Sequence, residues 1–416
     1  MDPLELADRL FSGELRIEEH HPLATSAGPC EVAPATLFVS SFANSIAFDT
    51  GDGLVLVDTG SAFTAAAIRD ALREWSDEPV VKVIYTHGHV DHVMGAHLYD
   101  AEADDKGWAR PDVIAHDAVA ARFDRYVLTA GYNSVINARQ FQVPGLQWPT
   151  DYRRPDTVFT DTFSFVLGGE TFELTHARGE TDDHTWVWIP NRRILCSGDF
   201  FIWASPNAGN PQKAQRYPRE WAAALREMAT RDAKMLLPGH GPPVVGADRV
   251  RTVLDDSAAL LESLVEQALA LMNEGAPLER LLREVRAPEE LLDKPYLKPI
   301  YDEPEFVVRN IWRLYGGWYD GDPATLKPAP ASDVAREIAA LAGADRLAAR
   351  ASELADAGEL AVACHLIEHA AAAEPEKKEF AELRATIYER RAAREASTMS
   401  KGIFRWAASS DGSLGK

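Results

Sequence analysis

Apolar and polar positions along the chain follow two regimes that change near residue 247. In the first, short apolar runs alternate with turn residues, the pattern of strands in a buried sheet. Ile46-Ala47-Phe48-Asp49 and Leu54-Val55-Leu56-Val57-Asp58 flank Thr50-Gly51-Asp52-Gly53, which predicts a hairpin. A helix over 63–75 and a buried strand over 80–86 follow, then a helix opened by Asp91, a short strand at 113–115 and a helix over 118–126. Residues 127–160 hold Gly131, Pro144, Gly145, Pro149 and Pro155 without a clear period, and predict a long covering loop. Strand patterns resume at 163–167, 171–176, 185–189 and 193–196, and a helix near 221–230 precedes a last strand at 235–237.

In the second regime strand formers thin out. Leu254, Ala258, Leu261, Val265, Ala268 and Met272 recur at helical spacing, and Leu260, Leu264 and Leu271 widen the stripe, so this helix is predicted to be covered on two sides. Another helix is predicted over 304–315, ending in the aromatic turn 316–323. The stretch 351–358 with Pro375 is similar to one tetratricopeptide-type hairpin, but a solenoid needs about three repeats, which leaves an isolated helix pair. The small, polar residues 407–416 predict frayed chain. The expected organisation is an α/β domain over 1–246, an all-α helical domain over 247–396 and a tail over 397–416.

Composition narrows the function classes. A chain of 416 residues exceeds a single core. With 64 acidic against 43 basic residues its formal charge is −21, which repels nucleic acid and anionic membranes and argues against both as partners. Cys30, Cys196 and Cys364 fit neither a disulfide framework nor a metal pattern. The start of the chain has no basic, apolar leader and no run of about 18 apolar residues occurs, so a cytoplasmic protein without membrane insertion is expected.

The chemistry concentrates in residues 85–95. His87, His89, Asp91 and His92 sit on the loop leaving the strand predicted at 80–86. Imidazoles suit zinc and similar ions, and a carboxylate beside them supplies charge for a second cation. The spacing lets His87 and His89 grip one ion while Asp91 and His92 turn toward another. Later strands also end in polar groups: His176 to Glu180 after one, Ser197-Gly198-Asp199 after the next, Gly239-His240-Gly241 after the last.

The HxHxDH loop, with the later groups at Glu180, Asp199 and His240, resembles the metallo-β-lactamase superfamily over about residues 30–245. Glu180 stands where most members carry a histidine in an H-T-P-G-H segment. The alkylsulfatase branch uses a glutamate there with its bridging carboxylate nineteen residues later, the interval from Glu180 to Asp199. That branch also carries a helical dimerisation domain with a segment like 317–323, which extends the resemblance to about residue 395. The resemblance implies an αββα sandwich and a homodimer built through the helical half. It places His87, His89 and Glu180 on one metal, Asp91, His92 and His240 on a second, and Asp199 between them. Two divalent ions carry four positive charges against three from Asp91, Glu180 and Asp199, so one hydroxide would neutralise the cluster. Zinc is the first expectation, and the harder Glu180 donor admits iron or manganese.

What the resemblance implies for activity is hydrolysis of an ester, an alkyl sulfate, by a metal-generated hydroxide, with Asp91, Asp199 and His184 in catalytic roles. His184 has two readings, proton donor or support beneath the ligands; His176 and Asp58 read as supports. Asn207 falls at the asparagine that holds the sulfate in the branch, but Gln212 stands where its arginine is expected, so Lys213, Arg216 or Arg139 would substitute. The chain also ends without the sterol-carrier-like domain of longer alkylsulfatases. The rival readings are a lactonase or carboxylic esterase on the same scaffold, a di-iron redox protein and a non-catalytic scaffold.

Overall fold

The structure, a computed structural model, describes residues 1–24 and 28–409. It divides into two compact units, the first made of residues 1–130, 149–276 and 280–317 and the second of 131–148, 277–279 and 318–416.

The first unit begins with α1 (Pro3–Phe11), capped by the Asp2 carboxylate, which accepts the Leu4 and Glu5 amides. The chain continues through β1 (Pro29–Ala33), β2 (Thr36–Val39), β3 (Ser45–Asp49), β4 (Leu54–Val57), α2 (Ala65–Trp75), β5 (Val80–Ile84), α3 (Val90–Val93), α4 (Ala96–Lys106), β6 (Asp112–His116) and α5 (Ala118–Leu128). The chain then passes into α6 (Ala130–Phe141) and returns as β7 (Thr157–Phe159), β8 (Thr162–Leu167), β9 (Glu170–His176), β10 (Thr185–Ile189), β11 (Ile194–Gly198), α7 (Pro218–Ala229), β12 (Met235–Pro238), β13 (Val244–Val245) and α8 (Ala247–Asn273). Helices α9 (Leu278–Glu284), α10 (Glu289–Leu292) and α11 (Pro304–Gly316) follow.

Strands β1 to β7 form one seven-stranded sheet in sequence order, and the second sheet runs β13-β12-β11-β10-β9-β8. The pairs β4–β5, β5–β6, β6–β7 and β11–β12 are parallel, so their carboxyl ends open on the same side of each sheet. Strand alternation sorts the side chains into two cores. Phe38, Phe48, Val57 and Ile84 join Phe172, Leu174, Val187 and Leu237 in one, between the sheets. Leu37, Ala47, Leu56 and Val83, one position away, join Ile68 and Leu72 of α2, Tyr99 of α4 and Phe123 of α5 in the other. Helix α8 packs on α7 and against β12 and β13. The result is a helix–sheet–sheet–helix sandwich.

The second unit holds α6, α12 (Pro323–Leu326), α13 (Ala331–Ala342), α14 (Ala344–Asp356), α15 (Leu360–Ala373), α16 (Lys378–Arg394) and α17 (Thr398–Ser409). Its core joins Leu347, Ala351, Leu360, Ile367, Phe380 and Ile387.

Four expectations change. The loop predicted over 127–160 contains α6, whose buried face mixes Ile136 and Ala138 with Asn133, Asn137 and Gln140, so no apolar period marks it. The isolated pair is part of a bundle running from α13 to α17, with alanines at the buried positions of α14 and α15 that permit close packing but carry little hydrophobic signal. Residues 398–409, read as tail, are a helix packed on α16, while 410–416 lie outside the described residues. Finally, α8 belongs to the first unit rather than opening the second. Val253, Leu254, Leu260, Leu261 and Leu264 are fully buried within one chain, which removes the wide stripe as a reason for a partner. No described helix is long and apolar enough to cross a membrane.

Candidate metal centre

The candidate ligands leave the ends of strands. Loop 85–89 follows β5, Glu180 follows β9, Asp199 directly follows β11, and His240 lies just beyond β12. Asp58, at the end of β4, anchors the first loop: Oδ1 accepts the Thr86 amide at 2.8 Å, and Oδ2 accepts the Thr86 hydroxyl at 2.7 Å. The same Oδ2 accepts His92 Nδ1–H at 2.8 Å, which turns Nε2 toward the centre. His240 is oriented in the same way by the Phe42 carbonyl at its Nδ1. Asn44 fixes the turn under His240, donating to the carbonyls of Pro238 and Gly241 at 3.0 and 2.8 Å. Gly239 must lack a side chain, since a Cβ there would overlap Asp199 Oδ1.

The sequence-predicted ligands come together in two groups, His87, His89, Glu180 and Asp199 in one, Asp91, His92 and His240 in the other. In the first group His87 Nε2 lies 2.9 Å from His89 Nδ1 and 3.7 Å from Glu180 Oε2, which is 3.5 Å from His89 Nδ1. In the second, Asp91 Oδ2 is 3.6 Å from His92 Nε2 and 3.5 Å from His240 Nε2. Asp199 faces both: Oδ1 is 3.4 Å from His92 Nε2, and Oδ2 is 3.3 Å from His240 Nε2 and 3.8 Å from His87 Nε2. Ligands about 2.0–2.1 Å from a tetrahedral zinc stand roughly 3.3 Å apart, so these spacings leave room for ions between them.

The polar bookkeeping of the site also fits a cation. His92 Nε2, Glu180 Oε2 and Asp199 Oδ1 are buried without a hydrogen-bond partner, a costly arrangement that a metal ion removes. Burial, with His92 and His184 adding to it, pushes His87 well below the ordinary imidazole range, and burial with Arg216 does the same to His89; both therefore offer neutral lone pairs. Burial drives the Glu180 carboxyl well above its ordinary range, opposed by Arg216. Against its burial, His240 and His92 hold Asp199 well below.

The remaining predicted residues take different places. His184 accepts the Asp199 amide at Nε2 over 3.1 Å and is stacked between His87 and Phe200. Burial pushes it down to about 3, and the hydrogen bond from the Asp199 amide is the geometry of a support beneath that carboxylate. His176 donates through Nδ1 to the His184 carbonyl at 2.9 Å. Arg216, expected as a sulfate-holding candidate, is buried with Nη1 on the Glu180 carbonyl and 3.1 Å from Glu180 Oε1. Asn207 donates Nδ2 to the same Oε1. Lys213 is half-buried near Asp91 and Glu180, and desolvation with Arg216 pushes its ammonium down to about 7. Arg139 lies on α6 in the second unit.

Sequence reasoning missed the brace beneath the His87–His89 turn. Asp183 Oδ2 accepts the Gly88 amide at 3.1 Å and Arg122 Nε at 2.7 Å, all buried. The signal was present: Val119, Arg122, Phe123 and Tyr126 form the buried stripe of α5, and a cation in such a stripe requires a buried acid.

A two-sheet sandwich with imidazoles and carboxylates gathered at its strand ends defines an α/β protein with a site for divalent metal ions. Residues 40–240 match the family model of the metallo-beta-lactamase superfamily, and residues 278–412 match the alkyl sulfatase dimerisation model. It is 29% identical over 394 residues to an (R)-specific secondary-alkylsulfatase of Pseudomonas sp., covering 87% of this chain and 59% of that one. It is 27% identical over 314 residues to a linear primary-alkylsulfatase of Pseudomonas sp., covering 70% and 59%. The solved structure of a stereoselective inverting sec-alkylsulfatase from Pseudomonas sp. is similar with a TM-score of 0.82 at 26% identity, over 92% of this chain and 65% of that one. The chain thus spans about three fifths of the length of these two curated relatives.

Proposed function

We propose that the chain is a binuclear metallohydrolase that cleaves an alkyl sulfate ester. The observation that carries this reading is the ligand cluster itself, in which Glu180 takes the third place of the first group and Asp199 faces both groups. Its likeness to relatives named as alkylsulfatases supports the substrate class. His87, His89 and Glu180 would hold one ion, Asp91, His92 and His240 the other, with Asp199 shared. Zinc is the proposed metal, with iron or manganese admitted by the carboxylate at 180. When bound, such ions acidify a water and stabilise charge developing on the ester.

The protein's own groups supply the rest. His89 and Asp91 are the ligands with solvent-facing side chains, 18% and 20% exposed, so substrate approaches on their side. Lys213, half-buried close to Glu180, is the cationic donor left for the single negative charge of a sulfate monoester, since Arg216 is paired with Glu180. Asp58, the Phe42 carbonyl and His184 hold the ligands in place so that the site needs little rearrangement.

One observation favours a second reading, a lactonase or carboxylic esterase. The Arg216 fork is committed to Glu180, and a neutral ester does not require it. Metal analysis of the purified protein, combined with a panel of sulfate, phosphate, carboxylate and lactone esters, separates the two. Sulfate release from medium-chain alkyl sulfates is expected; turnover of lactones or carboxylic esters without it would replace the first reading by the second. The proposed quaternary state is a homodimer, supported by the match of residues 278–412 to the alkyl sulfatase dimerisation family. Light scattering at micromolar concentration is expected to give twice the chain mass, and a monomer would reject it.

A further inference from the structure

The loop between Asp199 and α7 carries Asn207, Lys213 and Arg216, the groups that surround Glu180. It is irregular, and the buried backbone of such a loop needs partners from elsewhere. They come from residues that follow the sandwich in sequence, within the same unit. The Ser205 amide donates to the Lys298 carbonyl at 3.0 Å. Asp302, wholly buried, accepts the amides of Gly209 at 2.5 Å and Asn210 at 3.3 Å on Oδ2, and that of Glu303 at 2.8 Å on Oδ1. Asn310, on α11, donates Nδ2 to the Arg216 carbonyl at 3.0 Å, while its Oδ1 accepts the Arg216 amide at 3.3 Å and Gln215 Nε2 at 2.8 Å. Gly209 lies so close to the first turn of α11 that a Cβ would overlap the backbone of Phe306 and Val307.

These ties are spaced along the loop at 205, 209–210 and 215–216, on either side of Asn207 and of Lys213 and at Arg216 itself. Asp302 accepts three amides and can do so only as an acceptor at both oxygens; an asparagine there would present an NH2 group to at least one amide. Asn310 reads both the N–H and C=O of Arg216, which fixes the backbone from which the guanidinium reaches Glu180. Both residues lie inside the stretch matched by the alkyl sulfatase dimerisation model, beyond the metallo-β-lactamase match.

We propose that Asp302 and Asn310 are positioning residues of the active site, which clamp loop 205–216 so that Asn207 and Arg216 hold Glu180 while Lys213 is presented to the substrate anion. The helical sequence after the sandwich therefore completes the site within its own chain. The proposal rests on the reading of the centre as a sulfate-ester hydrolase for its kinetic arm, and on the loop geometry alone for its exchange arm.

The test uses the full chain loaded with zinc, as wild type, Asp302→Asn, Asn310→Ala and Gly209→Ala. Amide hydrogen exchange is measured on 205–216 and on reference strands β4 and β11. At least tenfold faster exchange is expected at 209–210 in Asp302→Asn and Gly209→Ala, and at 216 in Asn310→Ala, with the reference strands unchanged. With a medium-chain alkyl sulfate, KM is expected to rise about tenfold with kcat within threefold and metal content unchanged. Loop exchange and KM equal to wild type in the variants that fold would overturn the proposal, as would a uniform rise in exchange over loop and strands alike. If Asp302→Asn does not fold, Asn310→Ala and Gly209→Ala decide by the same criteria. Should the wild type release no sulfate, the functional reading falls while the exchange arm still decides the clamp.

Discussion

At the scale of single residues, three of the candidate ligands, His92, Glu180 and Asp199, each leave one buried atom without a protein partner. Asp199 is the extreme case, a buried carboxylate whose Oδ1 faces His92 and whose Oδ2 lies between His240 of the second group and His87 of the first. Asp199→Ala is expected to lower the bound metal from two ions per chain to fewer than one and to abolish hydrolysis. A wild-type chain that saturates at one ion under excess zinc or manganese would contradict the shared-ligand assignment. Asp58 acts one step further out, on Thr86 and His92. Asp58→Asn puts an NH2 group against one of those donors and is expected to weaken metal affinity by about 10–100-fold, measured by competition with a chelator. The candidate ligands of the first loop were legible because four metal-competent side chains between 87 and 92 have no packing explanation. The commitment of Arg216 to Glu180 was not, because the reach of a long side chain depends on the backbone around it.

At the scale of elements, helices were readable where their buried face was apolar and hidden where it was not. Helix α5 shows both, with its apolar stripe interrupted by Arg122, which pairs with Asp183. Removing one partner of a buried pair leaves the other uncompensated, so Arg122→Met is expected to cost about 3–5 kcal/mol in urea denaturation. Little or no loss would mean that the Gly88 amide alone satisfies Asp183. Helices α6 and α17 escaped the sequence reading and touch each other within the second unit. Gln142 Nε2 donates to the Gly402 carbonyl at 2.8 Å, and a Cβ at Gly402 would overlap the Gln140 backbone. Gly402→Val is therefore expected to destabilise the second unit by about 1–3 kcal/mol, seen as an earlier thermal transition while the first unit's is retained. An unchanged melt would show that α17 does not pack on α6.

At the scale of the whole molecule, the proposed metal ions and the proposed partner would both couple to stability. Ions bind the folded ligand cluster and not the dispersed chain, so stripping them with a chelator is expected to remove roughly 4 kcal/mol per site at a thousandfold excess of free ion over Kd. Denaturation with and without zinc measures it, and identical curves would count against a folded-state site. In the second unit Leu341 is 89% exposed in a single chain, within the stretch matched by the dimerisation family. If that surface is used, Leu341→Asp is expected to shift the mass in light scattering toward the monomer while leaving the melt of the first unit in place.

Sequence by itself determined strands β3 to β6 and β8 to β12, the β3–β4 hairpin, the candidate ligand residues and the resemblance to the metallo-β-lactamase superfamily, because each depends on local period or on residue type at short spacing, whereas the short edge strands β1, β2, β7 and β13 gave no such signal. Tertiary structure decided what depends on packing between distant segments. It assigned α8 to the first unit by covering its wide apolar stripe with α7 and α11. It turned His184 into an acceptor for the Asp199 amide, and it brought Asp302 and Asn310 onto the loop of Asn207, roughly a hundred residues away in sequence. The physical reason is that a side chain's type limits what it can bind, while its partner is chosen by the fold that buries it.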